Sequence, residues 1–269
     1  MSEASTRNRV TSRDGTTIAF DKQGDGPSLI VVVGALATHS GGSQSELAMM
    51  LSQHFTVINY DRRGRGDSGD TKPYAIEREI EDVEALIEEI GGSAFLYGHS
   101  SGACLALDAT VRLGDRVRGL AMYEAPYNDD PEARKTWRKY IKNLTAALSS
   151  DRRGDAVALF MAYVGMPPAQ IEGMRQAPSW AGMEAIAPTL AYDHTAIMGA
   201  DCSIPTERAT RIQTPTLVMS GTQGLSFMSV TADRLSRAIP NARRRTLDGQ
   251  AHNVQPEALA PVLVEFFSA

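Results

Sequence analysis

Ala94-Phe95-Leu96-Tyr97-Gly98-His99-Ser100-Ser101-Gly102 is a short apolar run ending in a glycine-bounded serine, and the apolar stretch Ala103 to Leu107 follows directly. The run reads as a strand over 94–98 and its continuation as a helix over 101–113. Gly98-His99-Ser100-Ser101-Gly102 fits G-x-S-x-G, a pattern that carries meaning when it joins a strand to a helix, as it does here. So tight a turn strains its central residue, and glycines at 98 and 102 remove side chains that would collide across it. Ser100 then projects its hydroxyl above the sheet edge. The first amides of the next helix, that of Ser101 among them, point to where an oxyanion would form. A serine that merely caps its helix is the bland alternative, and the placement favours a nucleophile.

On both sides of this turn, strand and helix signals alternate. Residues 28–33 (SLIVVV) and 56–60 (TVINY) read as buried strands, with a helix near 43–51 between them. Ile80, Val83, Leu86, Ile87 and Ile90 recur at three- and four-residue steps, and Gly91-Gly92 ends that amphipathic helix. A strand at 117–123 closes the first half. After Pro126 the alternation breaks: helical stretches at 135–148 and 156–164 are separated by turns at Pro167-Pro168, Pro178 and Pro188, with no strand-like run. The pattern resumes with a strand at 214–221, a helix near 230–239, a strand at 242–247 and a final helix over 256–267. The expectation is an α/β fold, a mostly parallel central sheet flanked by helices, with a core of residues 1–125 and 212–269 and a helical cap of 126–211.

A serine hydroxyl needs a base. His252, in Asp248-Gly249-Gln250-Ala251-His252, lies in a loop past the last predicted strand, whereas His99 is the variable residue of the turn, His39 lies in the loop after the first buried strand, His54 precedes the second, and His194 is in the cap. With the elbow, the stretch Asp61-Arg62-Arg63-Gly64-Arg65-Gly66-Asp67-Ser68-Gly69, the histidine loop and the element order together, the chain resembles the α/β-hydrolase family from about Val10 to Phe267. That resemblance implies that Asp67-Ser68 is scaffold. It also places a second oxyanion amide after Val33-Gly34, on Ala35, with valine where the family usually has histidine; a backbone donor survives that change.

The resemblance also exposes a departure. Most members carry the triad acid after the strand here ending Ser220-Gly221, yet Thr222-Gln223-Gly224 holds no carboxylate, and the next one is Asp233. Some members place the acid after the preceding strand, which here is Glu124, at the carboxyl end of a parallel strand where open α/β sheets build their sites. A hinge role for Glu124, or Asp248 as the acid, are the competing readings.

The expected site is therefore Ser100, His252 and Glu124 as triad, with the Ala35 and Ser101 amides as oxyanion donors. Leu36, His99, Trp137, Met161 and Trp180 are expected to contact substrate, since tryptophans and methionines in a cap make an adaptable apolar surface, although each could equally be the cap's own core. The resemblance implies a hydrolase acting on an ester, lactone or thioester of a small apolar molecule through an acyl-enzyme. Non-hydrolytic chemistry in small-molecule biosynthesis (cyclase, lyase or acyl transfer) and a non-catalytic small-molecule receptor are the alternatives. Epoxide hydrolysis and dehalogenation would need an aspartate at position 100.

The 269 residues suit one large core, and 27 basic against 32 acidic side chains, a net −5, leave no surplus to neutralise phosphates. Neither nucleic acid nor a membrane is expected as partner, no cofactor or metal is called for, and a monomer or homodimer is expected. The first ten residues lack the apolar segment of a secretory signal, so the expected compartment is the cytoplasm. Cys104 and Cys202 read as buried, inert thiols.

Overall fold

Short runs, rich in β-branched residues at 28–32 and 56–60, supply the strands of a central sheet in the computed structural model, which describes residues 8–39 and 42–269. The strands β1 (Asn8–Thr11), β2 (Thr17–Gln23), β3 (Ser28–Val32), β4 (Thr56–Tyr60), β5 (Ala94–His99), β6 (Val117–Tyr123), β7 (Thr216–Gly221) and β8 (Ala242–Leu247) lie in the order β1-β2-β4-β3-β5-β6-β7-β8. From β4 to β8 across the sheet every pair is parallel; β1 and β2 form an antiparallel hairpin at one edge. The sequence reading starts the sheet at Ser28 and misses that hairpin. Asp14-Gly15 at its turn, with Gly15 at φ 85°, is the signal that could have revealed it.

Period-two alternation divides the strand side chains between two apolar layers. Ile30, Val32, Ile58, Leu96 and Met122 face one layer with α2 (Ile76–Glu89), α3 (Ser101–Leu113) and α9 (Ser226–Ala238). Leu29, Val31, Val33, Tyr97 and Met219 face the other, with α1 (Gly42–Leu51) and α10 (Pro256–Phe267). Helix α9 starts four residues before the predicted 230.

Between β6 and β7 the described chain is helical: α4 (Pro131–Ser149), α5 (Arg153–Tyr163), α6 (Pro168–Arg175), α7 (Trp180–Ile186), a π-helical turn at Tyr192–Ile197, and α8 (Thr206–Ala209). Pro131 and Pro168, whose kind breaks a helix interior, here stand first in α4 and α6, where no amide is needed. Among the described residues no helix is long and apolar enough to cross a membrane.

Candidate active site

The chain leaves β3 for β4 on one side and returns to β5 on the other, so a crevice opens at the carboxyl ends of β3 and β5. Val32 is in register with Gly98. The residues just past each strand, Gly34 to Leu36 and Ser100 to Ser101, are therefore neighbours; a Cβ on Gly34 would lie 2.9 Å from the Cβ of Ser100.

Ser100 adopts φ 57°, ψ −130°, a conformation unfavourable for an L-residue. Two backbone bonds hold it there: its amide donates to the Tyr123 carbonyl (3.0 Å) and its carbonyl accepts from Ala103 (2.9 Å). Close packing explains the flanking glycines. A Cβ on Gly98 would stand 2.6 Å from Ala103 Cα, and one on Gly102 would stand 2.1 Å from the Val32 carbonyl oxygen. Ser101 is the first residue of α3, so its amide has no acceptor within the helix. Ala35 lies in the turn after β3, beside Leu36 at φ 54°.

His252 stands beyond β8 in a loop tied down by three successive carbonyls. Gln250 O accepts from the Gln223 amide (2.8 Å), Ala251 O from the Tyr123 hydroxyl (2.7 Å), and His252 O from His99 Nε2 (2.9 Å). Burial keeps Tyr123 protonated by raising its pKa, which suits its donor role. Burial, reinforced by the neighbouring His252, pushes the His99 imidazole down to about 3. Neutral His99 must carry its proton on Nε2, because a carbonyl can only accept.

Glu124 immediately follows β6, at φ 48° and 1% exposed. Its Oε1 accepts from the Gly221 amide (2.9 Å) and its Oε2 lies 2.8 Å from His252 Nδ1. A carboxylate at Nδ1 places the proton of a neutral imidazole there, and the Nε2 lone pair then faces Ser100 Oγ at 3.1 Å. Asp248 is turned elsewhere: it accepts from the hydroxyl of Thr222 (3.2 Å), in the loop after β7.

Gly224 occupies the place where the resemblance expects an acid, and a Cβ there would fall 2.2 Å from Glu124 Oε1. Glycine is required at 224 for space, since it is not among the left-handed glycines. The Glu124 carboxylate fills the room that a side chain at 224 would take.

Trp137, 1% exposed, donates to the Gly199 carbonyl (3.0 Å) and is surrounded by Tyr140, Tyr163 and His194. Trp180 donates to Glu184 (3.0 Å), and Met161 is buried in the same apolar layer. Both indoles are thus engaged within the helical segment, while His99 holds the histidine loop. Cys104 and Cys202 are free and buried, and burial pushes the Cys202 thiol up to about 12. Among the described residues no group of His, Cys, Asp or Glu side chains is arranged to hold a metal ion.

One set of residues near the crevice escapes sequence reading. Arg62 and Arg65, in the stretch just before Asp67-Ser68, are 0% and 1% exposed and both bind Asp193 of the π-helical turn. The arginines directly after a buried strand are the signal the sequence offers; the partner that Arg62 and Arg65 share, more than 120 residues away, is not visible in it.

The profile of the Alpha/beta hydrolase family matches residues 30–262, a span that includes Ser100, Glu124 and His252. A solved alpha/beta hydrolase from Sphaerobacter thermophilus DSM 20745 is 51% identical with a TM-score of 0.85, covering 97% of this chain and 100% of that one. The 2-(acetamidomethylene)succinate hydrolase of Mesorhizobium japonicum (strain LMG 29417 / CECT 9101 / MAFF 303099) is 24% identical over 261 residues, 94% of this chain and 92% of that one. A shorter match, 30% over 118 residues, joins 41% of this chain to 41% of the uncharacterized hydrolase YraK of Bacillus subtilis (strain 168).

Proposed function

This chain belongs to the alpha/beta hydrolase family and is an enzyme of that hydrolase type, and on that premise we propose that it cleaves an ester, lactone or thioester bond of a small apolar molecule through an acyl-enzyme on Ser100. The observation that carries this reading is the unbroken line from Glu124 Oε2 to His252 Nδ1 (2.8 Å) and from His252 Nε2 to Ser100 Oγ (3.1 Å). Oγ attacks the acyl carbon while Nε2 takes its proton, and Glu124 steadies the imidazolium that results. The Ala35 and Ser101 amides receive the oxyanion. Collapse of the tetrahedral adduct expels the alcohol or thiol with the proton from His252, and a water molecule repeats the sequence to free the acid and regenerate Ser100. The helical segment 126–211 acts as a cap, and its methionines and aromatic residues favour an uncharged substrate.

A fluorophosphonate probe tests the nucleophile, and turnover in isotopically labelled water tests hydrolysis. Labelling of Ser100, its loss in Ser100→Ala with the fold retained, and one labelled oxygen in the acid product are expected. Absence of labelling, or an alanine variant that keeps more than about a tenth of kcat, overturns the acyl-enzyme.

A further inference from the structure

Two buried guanidiniums stand behind the turn that carries Ala35. Arg65 Nη1 donates to the Gly34 carbonyl at 2.5 Å and to the Ala37 carbonyl at 3.4 Å, and Arg62 Nη1 donates to the Val33 carbonyl at 3.2 Å. The Gly34 oxygen and the Ala35 N–H belong to one peptide plane and point in opposite directions. Fixing that oxygen therefore fixes the direction of the Ala35 N–H. A cation on the carbonyl also draws electron density through the amide and makes its N–H a stronger donor.

The two arginines are like charges in a dry site, and they need a counter-ion between them. Asp193 supplies it, one oxygen to each: Oδ1 accepts from Arg62 at 2.7 Å and Oδ2 from Arg65 at 2.6 Å. Glu79 binds the other side of Arg62 through two bonds of 2.7 Å. Asp193 is fully buried; burial by itself would raise its carboxyl, but Arg62 and Arg65 hold it down at about 2. Among the described residues Asp193 is the carboxylate on Arg65 and binds it through one oxygen, so the aim of Arg65 at Gly34 depends on Asp193. The acid comes from the helical segment, whereas the arginines and the turn belong to the sheet side of the molecule.

We propose that Asp193 is a positioning residue, which through Arg65 orients and polarises the Gly34–Ala35 peptide for oxyanion binding, so that seating of the helical segment completes the site. This rests on the reading of the Ala35 N–H as an oxyanion donor.

The test follows inactivation by a fluorophosphonate, in which the Ser100 Oγ–P bond forms, the P–F bond breaks, His252 takes the serine proton and negative charge on the phosphoryl oxygen leans on the oxyanion donors. In Asp193→Asn the amide can accept from one arginine but turns an N–H toward the other. The maximal inactivation rate should fall about ten- to a hundredfold while the half-saturating probe concentration stays within threefold. A residue that only supports the fold would lower the melting temperature without this split. Arg65→Lys conserves charge and so protects folding, yet one ammonium cannot reproduce the fork, and it should show the same split. The double variant should be no slower than the worse single variant. Should Asp193→Asn not fold, Arg65→Lys decides alone. A rate within threefold of wild type in the folded variant, with Ser100 still labelled, overturns the positioning role and leaves the proposed function standing; a wild-type chain that is not labelled overturns both.

Discussion

The loops that follow β6 and β7 face the same imidazole and are built in opposite ways. After β6, Glu124 is held at φ 48° with its carboxylate 1% exposed and fully bonded. At the end of β7 and just after it, Gly221 and Gly224 bring no side chain into that space; a Cβ on Gly221 would stand 1.9 Å from the Gln250 carbonyl, and one on Gly224 would stand 2.2 Å from Glu124. A carboxylate can change strands when the loop it approaches is emptied and donates an amide, as Gly221 does. The acid and the two glycines are one arrangement written at two distant places.

Removing the charge from the filled loop is the most severe way to break this contrast. Glu124→Gln keeps the shape, and kcat should drop roughly a hundred- to ten-thousandfold because the imidazolium loses its partner and the tautomer its anchor. Asp248→Asn, in the same assay, should stay within about threefold, since Asp248 accepts from Thr222 of the β7 loop and not from the imidazole. A folded Glu124→Gln enzyme near the wild-type rate, or a greater loss in Asp248→Asn, would reverse the assignment.

Filling the emptied loop should cost less. Gly224→Ala forces a methyl into the 2.2 Å approach, so the carboxylate must shift from Nδ1, and kcat should fall about ten- to a hundredfold. The same geometry changes the design of a rescue. Gly224→Asp cannot repair Glu124→Gln, because the glutamine still occupies the space. Paired with Glu124→Ala it has room, and the double variant should turn over at least about tenfold faster than Glu124→Ala alone. Equal rates would mean that the β7 loop no longer supports an acid.

How far the sequence reveals these features depends on the range of the forces involved. Ser100 is legible because strain, glycine spacing and helix onset are all local to residues 98–102. Glu124 is picked out only through the resemblance, which looks for an acid in Thr222-Gln223-Gly224, finds none, and offers the end of the preceding strand instead. The reason for Gly224 is not legible, because a φ value outside the left-handed region gives glycine no local cause; the cause lies 100 residues away in Glu124. Residue type points the tryptophans to substrate, whereas the bonds of His99 to His252 O and of Trp137 to Gly199 O are tertiary facts. The Asp14-Gly15 hairpin has a local signal in its turn, whereas the pairing of Asp193 with Arg62 and Arg65 has none.

The mildest change sharpens the contrast by asking whether the histidine loop is held independently of the carboxylate. His99→Gln retains a donor for the His252 carbonyl, and kcat should remain within about fivefold. Its effect should appear in stability against pH. The His99 imidazole titrates near 3 in the folded chain and near the ordinary 6.5 when unfolded, so between those values the unfolded chain binds the extra proton. Stability from this group is complete above 6.5 and is lost as pH falls, at about 1.4 kcal/mol per pH unit. Urea melts at pH 7.0 and 4.5 should therefore show a loss about 2 to 3 kcal/mol smaller in His99→Gln than in wild type. His194, lowered to about 4, and the buried carboxylates are common to both proteins and cancel in the difference. An equal loss in the two would show that the folded chain admits a protonated His99, which donates to His252 O as the neutral ring does, and that burial does not hold this imidazole neutral.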